Sequence, residues 1–214
     1  MPAFPWPGDD SALDPCQKPA DRVTHFWTPP MLARRATSQL LIVDIQDRLA
    51  PAIADAERVI TNTARLVAYA TRLGVPITVT EHHPAGLGRT VALLDGILSA
   101  DAMRCQKETF SAWQEAGLRE RVGDLARSGR RQVVICGMET HVCVLQTALD
   151  LLANGLEVLI VAEATGSRHP EMRQLALDRI ARAGGVAVSH EMIAFEWLER
   201  GGTQEFKDLL PVLK

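Results

Sequence analysis

From Gln39 onward, apolar residues arrive in short unbroken runs that alternate with longer stretches of three-to-four spacing. The runs "QLLIVD" (39–44), "PITVT" (76–80), "AMRCQ" (102–106), "RQVVIC" (131–136), "EVLIVA" (157–162) and "GVAVS" (185–189) read as strands. Several are apolar enough to be buried on both faces. Ile53, Ala56, Ile60, Thr63, Val67, Ala70 and Leu73 keep helical spacing instead, as do Val142, Leu145, Leu149 and Leu152. Glycines at 74, 129, 155 and 184 stand where such helices should stop. Strand and helix in repeated alternation imply right-handed crossovers. The predicted fold class is therefore α/β: a three-layer α/β/α domain whose mostly parallel six-stranded sheet carries helices on both faces.

The first 37 residues break this pattern. Seven of the twelve prolines fall in residues 1–30, among "FPWPGDD", "DPCQKP" and "FWTPP", which excludes regular helix or sheet there. The chain thus divides into a Pro-rich N-terminal extension, 1–37, and one domain, 38–214. Trp6, Phe26 and Trp27 suggest an extension that packs on the domain or on a neighbouring subunit, because disordered tails are poor in aromatics.

Composition narrows the partners. A net charge of -3 and a pI near 6.1 give no electrostatic footprint for nucleic acid or an anionic membrane. No stretch approaches the roughly 20 apolar residues of a membrane span, and "MPAFPWPGDD" is unlike a signal sequence. The four cysteines, at 16, 105, 136 and 143, form no CxxC pair, so reduced thiols in the cytoplasm are the natural reading.

In parallel sheets ligands bind beyond the carboxyl ends of the strands, and the residues there include an acid, a base and a thiol. Asp44 follows "LLIV"; it reads either as a general base or as a cap on the next helix, a role Asp47 could also fill. Lys107 follows "MRCQ"; it is either an ordinary solvated lysine, for which Glu108 is the neighbouring partner, or a cation that favours a thiolate. Cys143 lies in "GMETHVCVLQ", in the first turn of the predicted helix. It is either an apolar filler or a nucleophile activated by that helix N-terminus. Cys136 and Cys105 read as fillers. His141 is two residues from Cys143, on another side of the helix, and suits the pocket wall better than a Cys–His pair. Glu81, His82 and His83 raise a metal site as a lesser alternative, since adjacent extended residues point apart unless Pro84 turns the chain.

Together "LLIVDIQDRL", "QKETFSAW", "GMETHVCVLQTALDLL" and "VLIVAEATGSR" resemble the isochorismatase-like cysteine hydrolase superfamily, over roughly Gln39 to Trp197. That group includes nicotinamidases and N-carbamoylsarcosine amidases. The resemblance implies a parallel sheet flanked by helices and a catalytic Asp, Lys and Cys, which fall on Asp44, Lys107 and Cys143. It further implies a cis peptide between Met138 and Glu139, and an oxyanion hole from the backbone N–H groups of Glu139 and Cys143. The loop "TEHHPAGLGRT" matches a metal-free branch rather than the D-x-H segment of nicotinamidases, so neither metal nor other cofactor is expected. The implied reaction is hydrolysis of a small-molecule amide or related C–N bond through a thioester. Phe110, Trp113 and His141 are expected to line the substrate pocket, and family members commonly form homo-oligomers. The competing reading is a binding or scaffold protein that keeps the fold without the chemistry.

Overall fold

A computed structural model of the protein describes residues 31–213. The packing expected of Trp6, Phe26 and Trp27 lies outside those residues, as does Cys16. Six strands form one sheet: β1 Ser38–Val43, β2 Ile77–His82, β3 Met103–Lys107, β4 Gln132–Met138, β5 Glu157–Gly166 and β6 Val186–Val188. All neighbours pair in parallel, in the order β3-β2-β1-β4-β5-β6. The helices are α1 Ala56–Leu73, the short α2 Pro84–Leu87 and α3 Ala92–Asp95, α4 Ala116–Arg127, α5 Leu145–Ala153, α6 Pro170–Arg182, α7 His190–Leu198 and α8 Gln204–Leu213.

Strand alternation splits the apolar residues into two cores. Leu40, Ile42, Val134, Cys136, Leu159 and Val161 face α1, α3, α7 and α8. Leu41, Val43, Val133, Ile135, Val158 and Ile160 face α4, α5 and α6. All six residues of β1 are buried, as its continuous apolar run requires, whereas the edge strand β3 alternates. Residues 31–37 lie against this domain. Ala33 is fully buried in the first core, its N–H donates to Glu196, and the Arg34 N–H donates to Gln132 Oε1 at 2.8 Å.

Two elements differ from their sequence patterns. The buried face of α1 is Val59, Asn62, Thr63, Leu66, Val67, Tyr69, Ala70 and Leu73, which leaves Ile60 half-buried. Apolar spacing misses this rotation because Asn62 is buried for its hydrogen bond, Nδ2 donating to the Glu163 carbonyl at 3.1 Å. β5 also runs four residues beyond the expected end, because its register slips against β4 between Ile135 and Gly137. A slip of that kind is invisible to hydrophobic alternation.

The order places β1 and β4 side by side at the point where the sheet reverses direction. Chains leave β1 and β4 toward opposite faces there, the place where open α/β sheets bind their ligands. Gly137 makes the junction possible. At φ 133, a Cβ on it would sit 2.0 Å from the Val43 carbonyl oxygen, so only glycine allows the two strands to meet.

Candidate active site

Asp44 comes first past β1, in a left-handed conformation with φ 53 that few non-glycine residues adopt. It caps no helix. Its Oδ1 accepts a 2.6 Å hydrogen bond from the Thr80 hydroxyl on β2, and its Oδ2 meets Lys107 Nζ at 2.6 Å. Oδ2 has no aligned hydrogen bond and faces the ammonium as a charge. Asp47, the other candidate cap, is exposed and caps nothing.

Lys107 is the last residue of β3, and its side chain is wholly buried, which overturns the solvated-lysine reading. Glu108 pairs with His83 instead, at 3.1 Å. The ammonium donates to the carbonyls of Thr109 (3.1 Å) and Phe110 (3.3 Å) and to Cys143 Sγ (3.4 Å). Three protein acceptors and a carboxylate therefore replace its water, the condition for burying a charge. The stretch "QKETFSAW" explains itself through these contacts. Glu115 Oε1 gathers the Glu108 N–H, the Thr109 N–H and the Thr109 hydroxyl, while Ser111 donates to Asp150 on α5 at 2.6 Å. The loop is thereby tied to α5, the helix that directly follows the Cys143 turn.

Cys143 sits in a π-helical turn, Thr140–Val144, that precedes α5, not in the first turn of a regular α-helix. The peptide joining Met138 to Glu139 is cis. Burial, and after it the Asp44 carboxylate, push the Cys143 thiol up to about 12, against the downward pull of Lys107. Lys107 pulls toward the thiolate as expected, but burial and the Asp44 carboxylate together keep the thiol protonated. Cys136 is fully buried and raised to about 12 by burial; Cys105, nearly buried, is raised by burial and then by Glu115. Both fit the filler reading.

Glu139 does more than its sequence position suggests. Its nearly buried carboxylate takes Arg168 Nη2 at 2.6 Å, Nε at 3.0 Å and the Arg168 N–H at 2.9 Å. Burial presses its pKa upward, yet Arg168's hydrogen bonds and charge leave it below the usual carboxylate value. His141 is engaged by Ser167, its Nδ1 3.0 Å from Oγ. Phe110 is 54% exposed, its ring 5.5 Å from that of His82, and Trp113 is half-buried against the core that contains Cys143.

Glu81, His82 and His83 do not converge. Glu81 turns to the Thr90 N–H and hydroxyl, both at 2.8 Å, and His82 packs at a tilt against Phe110 while His83 turns to Glu108. Among the described residues no cluster of three His, Cys, Asp or Glu side chains is placed to hold a metal. The motif "TEHHPAGLGRT" is a closed loop, with Glu81 clamping its far end at Thr90 and Gln46 bridging the His82 and Gly88 carbonyls. Sequence reasoning missed Thr80, Gln46 and Arg168. Alternation along "ITVTEH" does place Thr80 and His82 on one face of β2, the single signal that pointed to Thr80.

A buried acid, ammonium and thiol gathered at the reversal point of a 3-2-1-4-5-6 sheet define a three-layer α/β protein of hydrolase fold. Residues 38–192 match the isochorismatase domain family, and the chain belongs to that family. Isochorismatase domain-containing protein 1 of Salmo salar is 39% identical over 182 residues, 84% of this chain; the chain spans 62% of that relative's length. A solved Caenorhabditis elegans structure, described as the MAR1 ribonuclease, superposes with a TM-score of 0.80 at 30% identity, covering 86% of this chain and 92% of that one. The Escherichia coli YcaC gene product, described as an octameric hydrolase of unknown specificity, shares the fold at 24% identity. Its TM-score is 0.78, with 86% and 91% of the two chains covered.

Proposed function

We propose that the protein is a cysteine hydrolase that cleaves a small-molecule amide or related C–N bond through a thioester on Cys143. The observation that carries this reading is the buried line Asp44–Lys107–Cys143, with 2.6 Å from carboxylate to ammonium and 3.4 Å from ammonium to sulfur. A charge pair this dry needs a reason beyond stability, since apolar residues of similar size are often as stable.

The resting thiol is neutral, so attack requires a base, and Asp44 Oδ2 is free of aligned hydrogen bonds. The sulfur–carbon bond forms as the thiol proton passes to Asp44, and Lys107 steadies the negative charge that crosses between them. The backbone N–H groups of Glu139 and Cys143 hold the tetrahedral oxyanion. The protonated Asp44 then donates to the leaving amine, the C–N bond breaks, and a water activated by the same carboxylate releases the acid. Exposed Phe110, with Trp113 and His141, would form the wall against a planar or apolar acyl group.

We assign this chemistry to residues 38–214 and treat 1–37 as an extension, in a cytoplasmic protein that acts on small molecules. Homo-oligomerisation is part of the proposal; it is supported by the octamer described for YcaC and by Leu93 and Ile97, which are 55% and 45% exposed. A screen of amides, carbamoyl compounds and hydroxamates tests the reaction. Turnover that vanishes in both Cys143→Ala and Asp44→Asn supports it, and turnover that survives in Cys143→Ala overturns it.

A further inference from the structure

The segment just past β5 reaches the Cys143 turn at two side chains. Ser167 and Arg168 reach the turn through His141 and Glu139, respectively. The two ties differ in strength. Ser167 makes a single contact, whereas Arg168 engages both carboxylate oxygens of Glu139 through Nε and Nη2 and adds its own backbone N–H. A forked guanidinium on a carboxylate fixes direction as well as distance. The Glu139 side chain is 6% exposed and that of Arg168 57%, so the buried partner depends on the surface one. Glu139 also starts the nucleophile turn, because its carbonyl accepts the N–H groups of Val142 (3.1 Å) and Val144 (3.2 Å), on either side of Cys143.

We infer that Arg168 is a positioning residue: through Glu139 it fixes the backbone N–H that receives the oxyanion, relative to the Cys143 sulfur. This rests on the function proposed above. Arg168 acts on no reacting atom itself. Without it the Glu139 carboxylate is left buried and uncompensated, and it turns toward water, carrying its own peptide with it. Donors in an oxyanion hole act only when aimed at the developing charge, so a small rotation is costly.

Two reagents separate positioning from simple thiol reactivity. p-Nitrophenyl acetate acylates a thiol through a tetrahedral oxyanion: the sulfur–carbon bond forms, the proton passes to Asp44, and p-nitrophenolate leaves. Iodoacetamide alkylates the same sulfur as iodide leaves, with no oxyanion at any stage. Arg168→Ala should slow acylation of Cys143 at least ~10-fold, short of the roughly 10²–10³ lost when an oxyanion donor is removed outright, and leave alkylation essentially unchanged. Sub-denaturing guanidinium should restore part of the lost acylation, and Arg168→Lys should fall between the two proteins because a point charge cannot fork. An unchanged ratio of acylation to alkylation overturns the inference, as does an equal fall in both rates. If Arg168→Ala does not fold, Glu139→Gln breaks the same pair and must show the same selective loss. Wild-type protein that is never acylated at Cys143 overturns the proposed function and this inference with it. Acylation of the wild type with an unchanged ratio in Arg168→Ala overturns the positioning alone.

Discussion

Asp44 and Lys107 are both wholly out of solvent, so neither charge is tolerable without the other. Lys107→Met leaves a buried carboxylate whose remaining partner is the Thr80 hydroxyl, and should cost about 3–5 kcal/mol in urea unfolding. A loss below about 1 kcal/mol would mean that the pair is not dry. The sequence names the three residues of the candidate site, because each stands at a strand end or turn and the family motifs surround it. Their state is another matter. Burial of Lys107 and the neutral Cys143 depend on what β2, β3 and α5 bring against them, and a residue's neighbours across a sheet leave no mark beside it in the chain. Arg168 was illegible for the same reason: its partner Glu139 is 29 positions away.

At the scale of elements, Gly137 and the 81–90 loop carry the site. Gly137→Ala forces a Cβ into the Val43 carbonyl at φ 133, and should destabilise the fold by about 3 kcal/mol or more, measured by thermal or urea unfolding. Ordinary stability in that variant would contradict the close approach of β1 and β4. Glu81→Ala leaves the Thr90 N–H and hydroxyl without their acceptor, and should cost about 1–3 kcal/mol. Amide exchange should quicken across the 82–90 loop while β1 stays protected. Strand runs and glycine stops gave the fold class and all six strands to within a few residues. The π-helical turn and the register slip in β5 escaped, since both are exceptions to the periodicity that reveals regular elements.

For the whole molecule, buried protons set the response to alkali. Cys136 and Cys143 are raised from 9.0 to about 12, so between those values the folded chain keeps protons that the unfolded chain releases. The contribution of these two thiols is constant below pH 9 and falls as pH rises through that window, by about 1.4 kcal/mol per pH unit for each thiol. Tyr69, raised from 10.0 to about 12, adds to the upper part of the window. Cys136→Ala should therefore flatten the alkaline slope of unfolding free energy relative to wild type, and an unchanged slope would contradict the burial of that thiol. Leu93→Asp should shift the sedimentation of the protein toward smaller species if the exposed face of α3 takes part in self-association, and identical sedimentation excludes that face.

The central claim is that Cys143, served by Asp44, carries a covalent acyl intermediate. Brief exposure to p-nitrophenyl acetate, acid quenching and peptide mapping by mass spectrometry locate the acetyl group directly. The account predicts a single acetyl on Cys143, much slower to form in Asp44→Asn and absent in Cys143→Ala. Acetylation of Cys105 or of lysines at the same rate in all three proteins, with Cys143 unmodified, would contradict it.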